Sequence, residues 1–532
     1  MKKIDTNKIL ISTLIKYSFT VILLLMVLFS TSNSKVFYIG LIELGLIFII
    51  SELILAVNFY IANILNVILL FLFNIELIIQ ILGRTYLTSN MLSNLDSLEA
   101  LKGHAVLYVF SALITIVFSL LPVGKYCQKF KYLILTFFLL LSLEIGMIVN
   151  KKVDTTPLLN YYSISNNYFK RFVMLERIKK HDIVSVNEEF RNLDITNAIN
   201  KPEELSEKPN IILIFTEGLS ESILHDKRNL MTNLAKYEKN SISFSNYYNH
   251  TFATYLGIRG QLYSGYQATN YEKNKLISLQ DILANQNYDT TFLNTEPNNK
   301  DFTNYLNGMN FRNVISPNNV SSTVSDKNAY EFLFQTIEKK SNQSNPFFIS
   351  MYTFGTHLSL DSEDEHFKDG KSAILNKFYN LDIQFNNFMN KFNNSRISDN
   401  TILIFTTDHA TYVDNDYIKA FGADRLVGNL DKVPFFIYYK GVKPEVRDVN
   451  GRNSLSLVPT ILDFVDISEE NYFLGDSLFN TQSKSKLDTV FSSEGTFYST
   501  KNSKIDVLNQ NDKIKVSNLI EKYYHLKLKN SK

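Results

Sequence analysis

Five apolar runs, each about as long as a bilayer is thick, occupy the first 150 residues and constrain the chain more than any other feature. They are Ile9 to Phe29, Val36 to Val57, Tyr60 to Leu82, Ala105 to Leu121 and Tyr132 to Val149. Each approaches the roughly 20 apolar residues that a spanning helix needs. In hydrocarbon an unpaired backbone group has no water to bond, so a run of this kind must be helical. About five transmembrane helices are therefore expected in residues 1–150, the second and third nearly a helical hairpin. The first run has lysines before it and STSNS after it, as a cleavable signal does; four further runs favour a retained anchor.

Lysine placement orients these helices. Lys2, Lys3 and Lys8 precede the first run, and Lys125, Lys129 and Lys131 fill the short connection before the fifth. Both segments are cytoplasmic by the positive-inside rule, and an odd number of spans puts everything after Val149 outside. The connection from Gly83 to His104 also falls outside. Its Met91, Leu92, Leu95, Leu98 and Leu101 suit an amphipathic helix on the membrane, or equally a loop packed on the outer domain. The one cysteine, Cys127, lies in the cytoplasmic connection, so neither a disulfide nor a thiol is available outside. With 54 basic and 52 acidic residues the formal net charge is +2, which gives no nucleic-acid signal. Residues 151–207 turn polar, with Arg171, Arg177, Lys179 and Lys180 beside tyrosines, and read as a connecting arm along the bilayer surface or a solvated linker.

From residue 208 to 532 strand-like and helical stretches alternate. The strand-like runs are NIILIF (Asn210 to Phe215), TTFLNTE (Thr290 to Glu296), PFFISMYTFGTH (Pro346 to His357), TILIFTTDH (Thr401 to His409) and VPFFIYYKG (Val433 to Gly441). This alternation predicts an α/β domain with a mainly parallel sheet. The first and fourth runs are apolar at successive positions, as strands are when helices cover both faces. Several runs end in a polar group at the carboxyl edge, where ligands bind in open α/β sheets. Glu217, Asp408 and His409 thus form a candidate site for a divalent cation, alongside Glu296 and His357. Helix capping by Glu217 and Asp408, with His409 as a satisfied polar residue, is the alternative.

A transfer reaction also needs a nucleophile. The segment NHTFATYLGIRGQLYSGY, Asn249 to Tyr266, offers hydroxyls ahead of a predicted helix. Thr254 and Thr251 are the candidates, because coordination to a cation makes a threonine alkoxide accessible. Arg259 is a candidate for holding the charge of a transferring phosphoryl group. The same residues also suit a plain helix start.

The ordered set of Glu217 after a buried strand, a threonine turn, Thr356 with His357, and TTDHA at Thr406 to Ala410 resembles the alkaline phosphatase superfamily. More narrowly, the chain is similar to sulfatase-like membrane enzymes, the lipoteichoic-acid synthases and phosphoethanolamine transferases. VPFFIYYKG, LVPTILDF (Leu457 to Phe464) and FLGDSLF (Phe473 to Phe479) match that family's closing pattern. The resemblance implies that Glu217, Thr254, Asp408 and His409 bind one divalent ion, manganese first, with zinc or magnesium as alternatives. It implies that Thr254 is the nucleophile and that His357 contacts the phosphate or protonates the leaving group. Arg259 departs from the sulfatase arginine spacing, and the Trp-Arg-type pair of the synthases is absent after TTFLNTE. A formylglycine turn of the Cys-x-Pro-x-Arg kind is absent too, which argues against sulfate ester hydrolysis.

What the resemblance implies is a multi-pass protein of the bacterial cell membrane with an extracytoplasmic catalytic domain. It would move phosphoglycerol or phosphoethanolamine from a phospholipid to a cell-envelope glycan or polymer through a phosphothreonine. A phosphodiesterase of the same superfamily and a non-catalytic envelope binding protein are the alternatives.

Overall fold

The computed structural model describes the chain except residues 1–5, 32–33, 94–104, 127–128, 151–152, 154, 181–187, 196, 269–273, 275, 319–322, 359, 423–424, 426, 494 and 530–532. Cys127 and most of the amphipathic stretch expected at 91–101 lie outside the described residues. The chain divides into two compact units, Met1–Arg171 with Val413–Lys419, and Phe172–Tyr412 with Ala420–Lys532.

The first unit is helical: α1 (Thr6–Thr31), α2 (Ser34–Leu55), α3 (Phe59–Gly83), the short α4 (Ser89–Ser93), α5 (Ala105–Ser119), α6 (Phe130–Val149) and the start of α7 (Pro157–Lys180). Four of these, α1, α2, α3 and α6, are long and apolar enough to cross a membrane. The run at Ala105 to Leu121 was expected to be a fifth. Its described helix has 15 residues, about 22 Å of rise against a hydrocarbon layer of about 30 Å. Leu24, Leu44, Leu70, Phe73 and Leu77 are among the buried side chains that pack α1, α2 and α3 together. Asn58 caps α3 by accepting from the backbone of Tyr60 and Ile61, which ends the tight turn after α2. The buried carboxylates in this unit are paired: Glu43 accepts from Leu158 N at 3.2 Å, Glu52 from Tyr126 N at 2.9 Å and Glu76 from Leu87 N at 2.8 Å.

The second unit is built on an eight-stranded sheet in the order β4-β3-β5-β1-β6-β7-β2-β8. Its strands are β1 (Asn210–Thr216), β2 (Ile242–Ser245), β3 (Asp289–Leu293), β4 (Asn313–Ile315), β5 (Phe347–Thr353), β6 (Thr401–Thr407), β7 (Phe436–Tyr438) and β8 (Glu445–Asp448). Five of the seven pairings are parallel; β7 runs antiparallel to both β6 and β2. The VPFFIYYKG run thus yields only three strand residues, and its reversal makes the sheet mixed. β1 is central. Ile211, Leu213 and Phe215 join Ile258, Leu262 and Leu279 in one buried cluster. The opposite face meets the helix Ala373–Asn393, where Phe385 lies edge-on to Phe405 with ring centroids 5.4 Å apart. Burial on both faces is why these strands carry unbroken apolar runs. The register pairs Thr216 with Thr353 on one side and Thr407 on the other, so the three strands end level. A separate three-stranded sheet, β11-β10-β9, and the helix Gln510–Lys529 complete the unit. Here β9 is Val490–Ser493, β10 is Thr496–Ser499 and β11 is Asp506–Val507.

Candidate active site

Backbone bonding continues for one residue past the strand ends. Glu217 N donates to Thr353 O and Asp408 N to Thr216 O, each at 3.1 Å. These bonds fix where the two carboxylates leave the sheet. The chain then turns at Gly218, whose φ of +50° suits glycine, and its N–H reaches Asp408 Oδ1 at 2.8 Å. Thr407 Oγ1 ties both exits together by donating to Thr216 O at 2.7 Å and accepting from Leu219 N at 3.0 Å.

Glu217, Asp408 and His409 are buried together, with one ligand atom from each lying within 4.8 Å of the others. His409 Nε2 stands 3.4 Å from Glu217 Oε1 and 3.3 Å from Asp408 Oδ2. Its Nδ1 is 2.8 Å from Ala410 O. A carbonyl only accepts, so in the neutral ring Nδ1 carries the proton and Nε2 offers a lone pair to the cluster. Asp408 Oδ1 takes the N–H groups of Gly218 and His409. Asp408 Oδ2 is buried and has no hydrogen-bond partner among the described residues. An orphaned carboxylate oxygen facing an imidazole lone pair and a second carboxylate fits a divalent cation.

The electrostatics of the cluster favour a positive charge among these groups. Burial, reinforced by Glu217, pushes Asp408 up to about 7. Burial also acts to raise Glu217, but His409, His357 and the hydroxyls of Tyr352 and Thr254 outweigh it and hold that carboxyl below its ordinary value. For His409 burial acts downward, and the two carboxylates prevail to leave the ring above its ordinary value. A bound cation would offset both the burial of the Asp408 charge and its repulsion from Glu217.

Thr254 opens the helix Thr254–Leu262, and its Oγ1 donates to Glu217 Oε2 at 3.1 Å. The residue before it, Ala253, has φ +82° and ψ 140°. Such a backbone is strained for any residue with a Cβ and sits immediately next to the candidate nucleophile. The helix is held against β6: Gln261 Nε2 donates to Thr407 O at 2.9 Å and Asp408 O at 3.1 Å. A Cβ on Gly257 would lie 2.4 Å from Asp408 O. Thr251, the other candidate, points its hydroxyl at Ser492 O, 2.7 Å away.

The remaining sequence candidates are distributed as follows. His357 is half-buried, stacks on Phe354 at 4.6 Å and directs Nδ1 to Leu358 O at 3.1 Å, which leaves Nε2 for other partners. Burial pushes its ring below the ordinary value; Glu217 opposes this and the Lys377 ammonium reinforces it. Lys377 Nζ is bound to His357 O at 3.0 Å. Thr356 Oγ1 donates to Glu217 O at 2.6 Å and draws the end of β5 to the site. Arg259 is buried, donates to Tyr305 O at 3.1 Å and lies over the Tyr305 ring at 4.5 Å. These two contacts join it to the helix Lys300–Asn307. Glu296 is buried and accepts from Asn299 Nδ2 at 3.0 Å.

Sequence reasoning missed Tyr352, whose hydroxyl donates to Glu217 Oε2, and Gln261. Tyr352 was concealed in an apolar run where a tyrosine reads as core. Gln261 lies at helical spacing, seven residues after Thr254, which is the one signal that placed it on the same face.

Residues 209–467 match the sulfatase family model. Among solved structures, the chain is similar to a protein of the alkaline phosphatase superfamily from Vibrio parahaemolyticus, with TM-score 0.51 and 18% identity over 61% of this chain and 87% of that one. It is similar to the lipoteichoic acid synthase LtaP from Listeria monocytogenes, with TM-score 0.50 and 14% identity over 64% of this chain and 96% of that one. The integral membrane lipooligosaccharide phosphoethanolamine transferase A from Neisseria meningitidis aligns with TM-score 0.47 and 12% identity over 82% of this chain and 90% of its own. No curated protein sequence matches the chain.

Proposed function

We propose that the chain is a membrane-anchored, divalent-metal-dependent phosphotransferase; its residues 209–467 match the sulfatase family model and follow helices long and apolar enough to cross a membrane. The observation that carries this reading is the Thr254 hydroxyl, bonded to Glu217 beside Asp408 and His409. Glu217, Asp408, His409 and Thr254 would hold the ion, with manganese the first choice for a set dominated by oxygen donors. When bound, it would polarise a phosphoryl oxygen and lower the pKa of a coordinated hydroxyl.

The chain's own groups supply the rest. Thr254 Oγ1 attacks the phosphorus of a phospholipid headgroup, and the P–O bond to diacylglycerol breaks. The Thr254 proton lies on its hydrogen bond to Glu217 Oε2. The departing diacylglycerol oxygen takes a proton through Nε2 from His357 in its imidazolium form, and in the second step the acceptor hydroxyl returns a proton to that atom while Glu217 returns the Thr254 proton. A hydroxyl of a cell-envelope glycan or polymer then attacks the phosphothreonine, and the Thr254 oxygen regains a proton as it leaves. Thr254 at the first position of its helix places the phosphoryl group at the positive end of the helix dipole. Holding the donor in the same membrane as the enzyme lowers the entropic cost of their meeting. Phosphoglycerol and phosphoethanolamine are both retained as the transferred unit. The lysines around α1 and between α5 and α6 support a cytoplasmic face there; α5, short as it is, would have to cross a locally thinned layer as a fifth span for the catalytic domain to lie outside a bacterial cell membrane.

The test is intact mass of the full chain in detergent after incubation with manganese and, separately, phosphatidylglycerol or phosphatidylethanolamine. A headgroup-phosphate adduct mapped to Thr254 and lost in Thr254→Ala is the expected result, and the productive lipid names the donor. Full turnover by Thr254→Ala would overturn the assignment. Release of free phosphoglycerol or phosphoethanolamine, unaffected by added glycan, would identify water as the acceptor.

A further inference from the structure

We propose that Tyr352 is a positioning residue for this site: its hydroxyl locks the Glu217 carboxylate so that Oε1 faces the metal position while Oε2 holds the nucleophile. The proposal rests on the metal reading above. It begins in the sheet register, where Tyr352 on β5 lies beside Phe215 on β1, two residues before Glu217. Tyr352 is fully buried, with Phe302 at 5.6 Å and Phe354 at 6.5 Å between ring centroids. A phenol in such surroundings needs a partner, and Tyr352 donates to Glu217 Oε2.

The consequence lies in how a glutamate is oriented. Its last torsion joins an sp³ to an sp² carbon and is broad, so rotamer preference alone does not fix the carboxylate plane. Hydrogen bonds must do it. Oε2 receives two donors, Tyr352 Oη and Thr254 Oγ1 at 3.1 Å. Oε1 is the atom that faces His409 Nε2, at 3.4 Å. Were Tyr352 to lose its hydroxyl, Thr254 would be the remaining side-chain donor to Oε2 among the described residues, and Thr254 is the group that must itself give up a proton to react. Tyr352 therefore separates two duties of one oxygen: it keeps the carboxylate oriented while the nucleophile changes state.

Tyr352→Phe keeps the ring volume and removes only the hydroxyl, a change that cores tolerate. The control is Thr295→Val. Thr295 Oγ1 donates to Tyr352 O at 2.8 Å, so this variant loses a buried hydroxyl bonded to the Tyr352 backbone and keeps the Tyr352 hydroxyl that reaches Glu217. The full chain in detergent is stripped with a chelator and titrated calorimetrically with manganese, and thermal melts are recorded with and without the ion. The expected result is a manganese Kd raised about 10- to 100-fold in Tyr352→Phe, as for other residues that orient metal ligands, with Thr295→Val at the wild-type value. Wild-type affinity in Tyr352→Phe would overturn the proposal, as would an equal loss in Thr295→Val. A wild-type chain that binds no manganese would instead remove the metal reading and this proposal with it; a wild-type chain that binds leaves Tyr352 alone in question.

Discussion

Substitution of Gly257 by alanine tests how the nucleophile helix is seated, because two physical effects predict opposite signs. Alanine in a helix interior is favoured over glycine by about 0.5–1 kcal/mol. At this position, however, the new Cβ would stand 2.4 Å from Asp408 O and 3.0 Å from its carbonyl carbon. Carbon–oxygen contacts settle near 3.3 Å, so the helix and the end of β6 must separate by about 0.9 Å. The obstacle is backbone, itself bonded to Thr216 O through Asp408 N, so no side-chain rotation relieves it. Overpacking of this kind costs about 1–3 kcal/mol and outweighs the propensity gain. Thr254 sits three residues earlier on the same helix, and a misplacement of about 1 Å is enough to lower the rate of Thr254 phosphorylation about 100-fold. Gly308→Ala is the control, since its Cβ would meet Tyr305 O at an ordinary 3.4 Å. Thermal melts and the rate of adduct formation at Thr254 are the measurements. Gly257→Ala should melt below wild type and react slowly, with Gly308→Ala unchanged. A Gly257→Ala protein that melts at or above wild type would show that the helix is not seated on Asp408.

Two further expectations concern stability. Ala253→Gly relieves a backbone conformation that costs of order 1–3 kcal/mol, so the variant should melt higher; a lower melting temperature would mean that Ala253 is not strained in solution. His250 is buried with Nδ1 2.6 Å from Ser454 Oγ, and burial pushes it down to about 3. The unfolded chain, with its histidine near 6.5, then binds the extra proton, so this contribution is complete above about 6.5 and is lost toward 3 at about 1.4 kcal/mol per pH unit. Melts from pH 7 to 4 should fall less steeply in His250→Asn than in wild type, and equal slopes would contradict the assignment.

The sequence by itself determined the elements whose burial is written into consecutive residues. NIILIF and TILIF had to be strands covered on both faces, and the acids that end those runs had to appear at one sheet edge. The long apolar runs before residue 150 likewise had few alternatives to helix. Local pattern says less where an element is short or its partner distant. β2, β4 and β8 have three or four residues each, too few for a period to declare itself, and β7 reverses direction for reasons that lie in neighbouring strands. The site shows the same division. Thr251 and Thr254 are equivalent hydroxyls in the sequence; the path of the chain sends one to Ser492 and the other to Glu217. Arg259 reads as a phosphate ligand in the sequence; that it also donates to Tyr305 O in the helix Lys300–Asn307 is decided by the fold. Tyr352 reads as core until β5 pairs beside β1 and carries its hydroxyl to a carboxylate 135 residues away in the chain. Composition and periodicity record which faces are buried, because burial acts on each residue in turn. Hydrogen bonds between distant residues are decided only when the sheet register and helix seating bring the two groups together.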